Sequence, residues 1–296
     1  PDRVVVGLTA ERAKKVMQEV YRPLFLNETP IVFTGRETAE IIKYAANAFL
    51  ATKISFINEI ANLCEKAGAD VQDVARAIGM DNRIGKKFLN AGPGYGGSCF
   101  PKDTLALVQT GEVLGAPQRI VEAVVQVNAD RQRAMAERII KACGGDVTGK
   151  RIGVLGVAFK PETDDVREAP ALTIIPLLQQ AGAIIAAYDP IAQEQAQKFL
   201  TDIIWCDDAY QVAQDADALA IVTEWNQFRA MDLQRLGAVM KQKIMLDLRN
   251  IYKPSEMLGT GFYYSSIGRP DVSPDVSPDA LPDSADAMPE KLRSAS

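Results

Sequence analysis

The strongest constraint on the fold lies beyond residue 150, where short apolar runs alternate with stretches of helical spacing. The runs Arg151–Leu155, Ile184–Tyr188, Ile203–Trp205, 218–222 and 244–248 read as strands. Between and after them, 169–180, 191–199, 209–214 and a stretch around 233–240 read as helices. A strand that is followed by a helix and then another strand returns parallel to the first, so this alternation predicts an α/β fold with a doubly wound parallel sheet.

The first half has a different texture. A short strand at 3–7 precedes a helix over about 10–20 and a Pro-marked exit. Apolar positions at helical spacing then run through Ile41, Ile42, Ala45, Phe49, Ile54, Ile57, Ile60 and Ala61, predicting one long helix over 36–67 that ends near Gly68. Asp70 is placed to cap a second helix over 71–78. Residues 90–103 contain glycines and prolines at a density that excludes a regular element. Helical spacing resumes at 104–114 and 117–141. The expected organisation is therefore a short unit at 1–30, a central helical domain at 31–145, an α/β domain at 146–270, and an unstructured tail at 271–296 that carries a repeated Asp-Val-Ser-Pro.

Composition excludes several classes of function. The 296 residues include no histidine, which removes a Ser-His-Asp triad, a Cys-His pair and any His-ligated metal from the chain. A net charge of −5 gives no footing for nucleic acid. No run of 18 apolar residues occurs, so no membrane span is expected. The four cysteines, Cys64, Cys99, Cys143 and Cys206, form no CxxC pair and suggest free thiols in a reducing cytoplasm.

The segment Asn90-Ala-Gly-Pro-Gly-Tyr-Gly-Gly-Ser-Cys-Phe-Pro-Lys-Asp103 presents one cysteine on a glycine-rich loop. Glycines let a backbone turn tightly and approach a ligand closely. Lys102 follows Cys99 closely, and a neighbouring ammonium favours the thiolate, which is the nucleophilic form. Asp103 is placed to orient a water or to accept its proton. A structural loop with a buried cysteine is the alternative. Lys43 and Asn47, four apart on the long helix, project from one face. They suit an oxyanion or a bound water, and also a merely solvated surface. Phe159 and Lys160 follow the strand Arg151–Leu155, and Arg249 follows 244–248, at the edge where doubly wound sheets bind ligands.

The string Gly94-Tyr-Gly-Gly-Ser-Cys-Phe-Pro-Lys-Asp103 closely resembles the catalytic signature of the UDP-glucose/GDP-mannose dehydrogenase family, in the form of its UDP-glucose branch. Further matching blocks are Glu40-Ile-Ile-Lys43-Tyr-Ala-Ala-Asn47, Asn82-Arg83-Ile-Gly85, Gly156-Val-Ala-Phe-Lys160, Tyr188-Asp-Pro190 and Asp247-Leu-Arg249-Asn250. The resemblance spans roughly residues 1–270. It implies four-electron oxidation of UDP-glucose to UDP-glucuronate with NAD, a Rossmann-like UDP-sugar-binding domain, and a homodimer formed through the long helix. By the same resemblance the catalytic residues are Cys99, Lys43, Asn47 and Asp103. Substrate contacts fall on Lys43, Asn47, Arg83, Phe88, Leu89, Asn90, Gly92, Tyr95, Gly96, Phe159, Lys160 and Arg249, with Arg83 reaching a neighbouring subunit. Cofactor contacts fall on Lys102 and Arg167. Cys64, Cys143 and Cys206 match no family position and read as packing cysteines.

One family element is not found. No strand leads into a G-x-G-x-x-G turn and helix with an acidic residue about twenty positions on. Together with a start at Pro1, this suggests a piece of a longer enzyme that lacks most of the NAD-binding domain. Such a piece would bind UDP-sugar and dimerise without turning over. A cysteine hydrolase or transferase working without NAD is a further alternative, and the absence of histidine argues against it.

Overall fold

The computed structural model describes residues 2–27 and 29–274. The chain opens with strand β1 (Val4–Gly7), helix α1 (Glu11–Val20), a 3-10 turn at Arg22–Asn27 and strand β2 (Ile31–Thr34). β1 and β2 pair in parallel, from Val4 against Ile31 to Gly7 against Thr34. The short β2 run gave no signal of its own in the sequence, and this small sheet crosses the boundary expected at residue 30.

Helix α2 (Arg36–Ala67) follows, and then α3 (Val71–Gly79), where the Asp70 carboxylate accepts from the Gln72 N–H at 2.7 Å as the capping pattern predicts. At 32 residues α2 is roughly 48 Å long. It packs against α4 (Phe100–Val113) and α5 (Arg119–Ala142), which also pack on each other. α4 starts four residues earlier than its apolar spacing indicated. The glycine-rich loop stops at Cys99, and Phe100-Pro-Lys-Asp103 form the first turn, where a proline is tolerated because its missing N–H has no helical partner.

The second half runs β3 (Arg151–Leu155), α6 (Ala171–Gln180), β4 (Ile184–Tyr188), α7 (Gln193–Ala196), β5 (Ile203–Trp205), α8 (Ala209–Ala213), β6 (Ala218–Ile221), α9 (Asn226–Arg229), α10 (Leu233–Val239), β7 (Ile244–Asp247), α11 (Pro254–Met257) and β8 (Tyr263–Ser266). The six strands β3–β8 form one parallel sheet in the order β5-β4-β3-β6-β7-β8, a doubly wound Rossmann-like arrangement. Ile152, Val154, Leu155, Ile185, Leu219 and Leu246 are fully buried and centre the core on this sheet. β8 was not anticipated, because Tyr263-Tyr-Ser-Ser266 lacks an aliphatic run.

The tail expected over 271–296 falls mostly on 275–296, outside the described residues. Its first residues are tied down instead. Val272 pairs with Tyr264 in an antiparallel bridge and is buried, and Asp271 accepts from the Tyr263 hydroxyl at 2.7 Å. Among the described residues no helix is long and apolar enough to cross a membrane.

Candidate functional site

The glycine-rich loop is held through its backbone by buried polar side chains of the central helices. The Gly92 N–H donates to Asn58 Oδ1 at 2.8 Å, and its carbonyl accepts from Arg131 Nε at 2.9 Å. Asn128 both accepts from the Tyr95 N–H at 2.8 Å and donates to the Tyr95 carbonyl at 3.1 Å. Burial pulls Arg131 down to about 10, which leaves it cationic at neutral pH.

From the other side, the segment after β3 presses on the loop. The Gly97 N–H donates to the Arg167 carbonyl at 2.9 Å. A Cβ at Gly96 would stand 2.2 Å from the Glu168 carbonyl oxygen, so no larger residue fits there. Gly97 has φ +82° and lies against the Phe159 ring, which a Cβ would meet at 2.8 Å. Glycine at these two positions is therefore a requirement of the close approach between the loop and the sheet edge.

Cys99 ends the loop at the N-cap of α4 and is exposed, whereas Cys64, Cys143 and Cys206 are buried. The Asp103 N–H donates to the Cys99 carbonyl at 2.9 Å, which fixes the carboxylate one helical turn on. Asp103 has no exposed surface, yet three donors converge on it: Asn47 Nδ2 at 2.6 Å and Lys43 Nζ at 3.2 Å on one oxygen, and Lys102 Nζ at 2.8 Å on the other. Burial pushes this carboxyl upward, but the bonds from Lys102, Asn47 and Lys43 outweigh it and hold the group below the usual carboxylate range. The hydrogen bond and charge of Asp103 raise Lys102 in turn, with a small contribution from Cys99 itself. Both lysines are more than half exposed. The cluster thus presents two ammonium groups and an amide on a buried anion beside an exposed thiol.

Phe159 and Lys160 emerge from the carboxyl end of β3, beside β6, where the strand order reverses and an open α/β sheet forms its ligand crevice. The Lys160 ammonium lies 5.4 Å from the centre of the Phe159 ring. Arg249 enters the same crevice largely buried. It donates to the carbonyls of Val222 at 2.8 Å and Phe159 at 3.2 Å, and pairs with Glu224 at 3.1 Å. Its Nη1 lies 3.5 Å from the Cβ position of Gly92, so this arginine also supports the loop.

Two model descriptions match the chain: "UDP-glucose/GDP-mannose dehydrogenase family, central domain" over residues 37–130, and "UDP-glucose/GDP-mannose dehydrogenase family, UDP binding domain" over residues 153–254. Together they cover well over half of it. The chain belongs to the UDP-glucose/GDP-mannose dehydrogenase family. It is 58% identical over 273 residues to the UDP-glucose 6-dehydrogenase of Rhizobium meliloti (strain 1021), covering 92% of this chain and 62% of that protein. It is 47% identical to the UDP-glucose 6-dehydrogenase TuaD of Bacillus subtilis (strain 168), covering 92% and 58%. A UDP-glucose dehydrogenase structure from Pyrobaculum islandicum superposes with a TM-score of 0.78 at 38% identity, covering 86% of this chain and 56% of that one. The chain thus spans about three-fifths of the length of the curated relatives it matches.

Not every residue singled out from the family signature joins the cysteine cluster. Arg83 is almost fully exposed, and its guanidinium is turned onto Asp81 at 2.6 and 3.0 Å, which holds that carboxyl below its usual range. Arg167 is bound to Asp165 at 2.8 Å, which pushes its guanidinium up, although its backbone carbonyl holds Gly97. The side chains of Leu89 and Tyr95 are buried, so contact with a ligand at these two positions would fall to the main chain. Burial also pushes the Tyr95 hydroxyl up. Phe88 stacks edge-on against Phe100, and Asn90 is exposed.

Four supporting residues escaped the sequence reading, and a fifth, Asp189, was noted there only within the block Tyr188-Asp-Pro190 without a role. Asn58, Asn128 and Arg131 are buried polar groups on helix faces that are otherwise apolar, a legible signal once helical register is drawn. Asp189, at the end of β4, accepts five N–H bonds, from Val157, Ala158, Ile191, Ala192 and the Trp225 indole. Thr223 donates to the Ala158 carbonyl at 2.6 Å. Between them they fix both lips of the crevice. No group of residues suited to a metal ion occurs among the described residues.

Proposed function

We propose that this chain carries the thiol-bearing and UDP-sugar-binding parts of a UDP-glucose 6-dehydrogenase, which oxidises UDP-glucose to UDP-glucuronate with NAD. The observation that supports this most is the exposed Cys99 beside the Lys43, Asn47, Lys102 and Asp103 cluster, on a loop pinned to the lip of a nucleotide-type crevice. The two curated relatives carry the same activity in their names.

Lys102 and Arg167 suit an anionic cofactor near Cys99, although each is already held by a carboxylate. β1 enters α1 through Leu8-Thr9-Ala10, so the described residues alone form no glycine-rich dinucleotide cradle. In the complete enzyme two NAD would be needed, each supplying the two-electron oxidant for one hydride from the sugar C6. The remaining steps belong to this chain. An aldehyde is attacked by the Cys99 thiolate, forming a C–S bond and a tetrahedral alkoxide. Loss of hydride from that adduct leaves a thioester. Water then adds, the C–S bond breaks, and the carboxylate and thiolate separate.

Lys43 and Asn47, both held on Asp103, are the donors we assign to the alkoxide, a role whose removal typically costs about 10²–10³ in rate. Asp103 is better suited to positioning than to proton abstraction. Both of its oxygens are occupied, and its donors keep it ionised. Lys160 and Arg249 supply cations for the diphosphate at the sheet edge. Ile41, Phe49, Phe56 and Leu63 are exposed along α2, nearly one heptad apart, and fit self-association as a dimer.

The test is NADH formation from UDP-glucose by this chain and by a form extended at the N-terminus to its relatives' length. Two NADH per sugar, lost in Cys99→Ser, is the expected result. Normal turnover in Cys99→Ser refutes the thiol's role. Calorimetry with UDP-glucose and NAD separates sugar binding without catalysis from the full activity.

A further inference from the structure

At the end of the molecule where α2 and α5 terminate against β8, a recess of about 510 Å³ opens among charged side chains. Four cations line it, Lys66, Arg138, Lys141 and Arg269, against two carboxylates, Glu65 and Asp271. The two arginines lie deep: Arg138 is only 18% exposed and Arg269 5%. Lys66 and Lys141 stand in the last turns of α2 and α5 and have no partner among the described residues. Helix carbonyl ends favour a cation there, which accounts for two lysines but not for the arginines between them.

The chain already seats an anion in this recess. The Asp271 carboxylate accepts from the Tyr263 hydroxyl at 2.7 Å and pairs with Arg138 at 3.5 Å. Burial and this carboxylate push the Tyr263 hydroxyl up to about 12, so it remains a proton donor. Asp271 answers Tyr263 and, together with Glu65 at 2.7 Å, Arg138, but Lys66 and Lys141 are left unmatched. A phosphate, with more oxygens and nearly twice the charge, answers all four.

We propose that this recess is a binding site for a phosphate-bearing small molecule, with Asp271 as a tethered carboxylate that competes for it. The site lies at the amino-terminal ends of β7 and β8, opposite the crevice at their carboxyl ends, and does not depend on the dehydrogenase reading. It connects to the crevice by a hydrogen-bonded path. Arg269 Nη2 donates to the Tyr264 hydroxyl at 3.1 Å, and that hydroxyl to Asp247 at 2.8 Å. Asp247 in turn accepts from the Arg249 N–H at 3.1 Å.

Pyrophosphate titrated calorimetrically into the chain is the probe. Binding should weaken about fivefold in Lys66→Ala/Lys141→Ala, as expected for two exposed cation contacts, and tighten about threefold in Asp271→Asn. Lys160→Ala, at the crevice, should leave this binding in place. Binding that Lys160→Ala abolishes and the double lysine variant spares overturns the proposal, as does the absence of any binding. Affinity unchanged in Asp271→Asn refutes the tethered carboxylate, and succinate binding as tightly as pyrophosphate refutes the choice of phosphate. Loss of UDP-glucose binding would count against the proposed function alone.

Discussion

Replacing Asp103 by asparagine removes one negative charge from a position with no solvent exposure while leaving the shape of the side chain intact. Three contacts are affected. The Asn47 bond, at 2.6 Å, is largely shielded, and a hydrogen bond to a charged group is worth about 1.5–3 kcal/mol. The lysine contacts at 2.8 and 3.2 Å involve ammonium groups more than half exposed, so solvent screening limits each to about 0–1 kcal/mol. The expected loss is therefore about 2–4 kcal/mol at neutral pH, dominated by the Asn47 contact. The carboxyl is held below its ordinary value in the folded chain, so its ionised form stabilises the fold above an unfolded-state pKa of about 3.9. That stabilisation is lost as pH falls through the lower, folded-state value. Urea denaturation followed by circular dichroism should show the full difference between wild type and Asp103→Asn at pH 7, narrowing in the acid range below about pH 4. Equal stabilities at pH 7, or a gap that persists undiminished in acid, would refute an ionised Asp103 as the hub of this cluster.

Other consequences of the structure are equally open to test. Native protein should react rapidly with one equivalent of a disulfide reagent at Cys99, and with the other three thiols only after unfolding, because burial covers those thiols and pushes them up; the fast phase should vanish in Cys99→Ser. Gly96→Ala should destabilise by the upper part of about 1–3 kcal/mol in a thermal melt, since its methyl group meets a carbonyl oxygen at 2.2 Å, whereas Gly115→Ala has open space around it and suffers only its positive φ. Phe56→Glu, on the exposed stripe of α2, should shift the chain toward monomer in sedimentation without lowering its melting temperature, and an unchanged sedimentation coefficient would remove α2 as the dimer seam.

Much of the α/β half was legible because its strands are uninterrupted aliphatic runs. Those at Arg151–Leu155, Ile184–Tyr188 and Ile203–Trp205 fall at the expected residues. β2 and β8 were hidden for opposite reasons: one is a short strand after a proline, the other a run of tyrosines and serines buried by tertiary packing rather than by its own hydrophobicity. The cysteine loop was visible from its glycines, but the partners of its backbone were not. Asn58, Asn128 and Arg131 lie 33 to 39 positions from their loop contacts, and only the side-by-side packing of α2 and α5, which run in the same direction from Ser55 beside Val124 to Glu65 beside Arg138, brings them there. Arg83 and Arg167 show the converse limit. Their positions follow the family pattern, yet in the isolated chain each turns to a carboxylate two residues away.

The position of Cys99 relative to the sheet is set by backbone contacts rather than by a hinge. Gly92 lies against Leu248 and Arg249 beyond β7, Gly96 against Glu168, and Gly97 against Phe159 and the Arg167 carbonyl. At the far end of the molecule the same two halves are joined again, by Glu65 accepting from the Gly268 N–H, by Arg138 donating to the Ser266 carbonyl at 2.6 Å, and by the Val71 N–H bonding to the Gly268 carbonyl. Two halves pinned at both ends of their shared face cannot rotate about a linker without breaking buried hydrogen bonds, each worth about 0.5–1.5 kcal/mol net and more when a buried partner is left unpaired. A substitution in the segment after β3 will move the thiol without touching it. Phe159→Ala, for example, would remove the ring on which Gly97 rests and loosen the Cys99 sulfur while the sheet beneath remains folded.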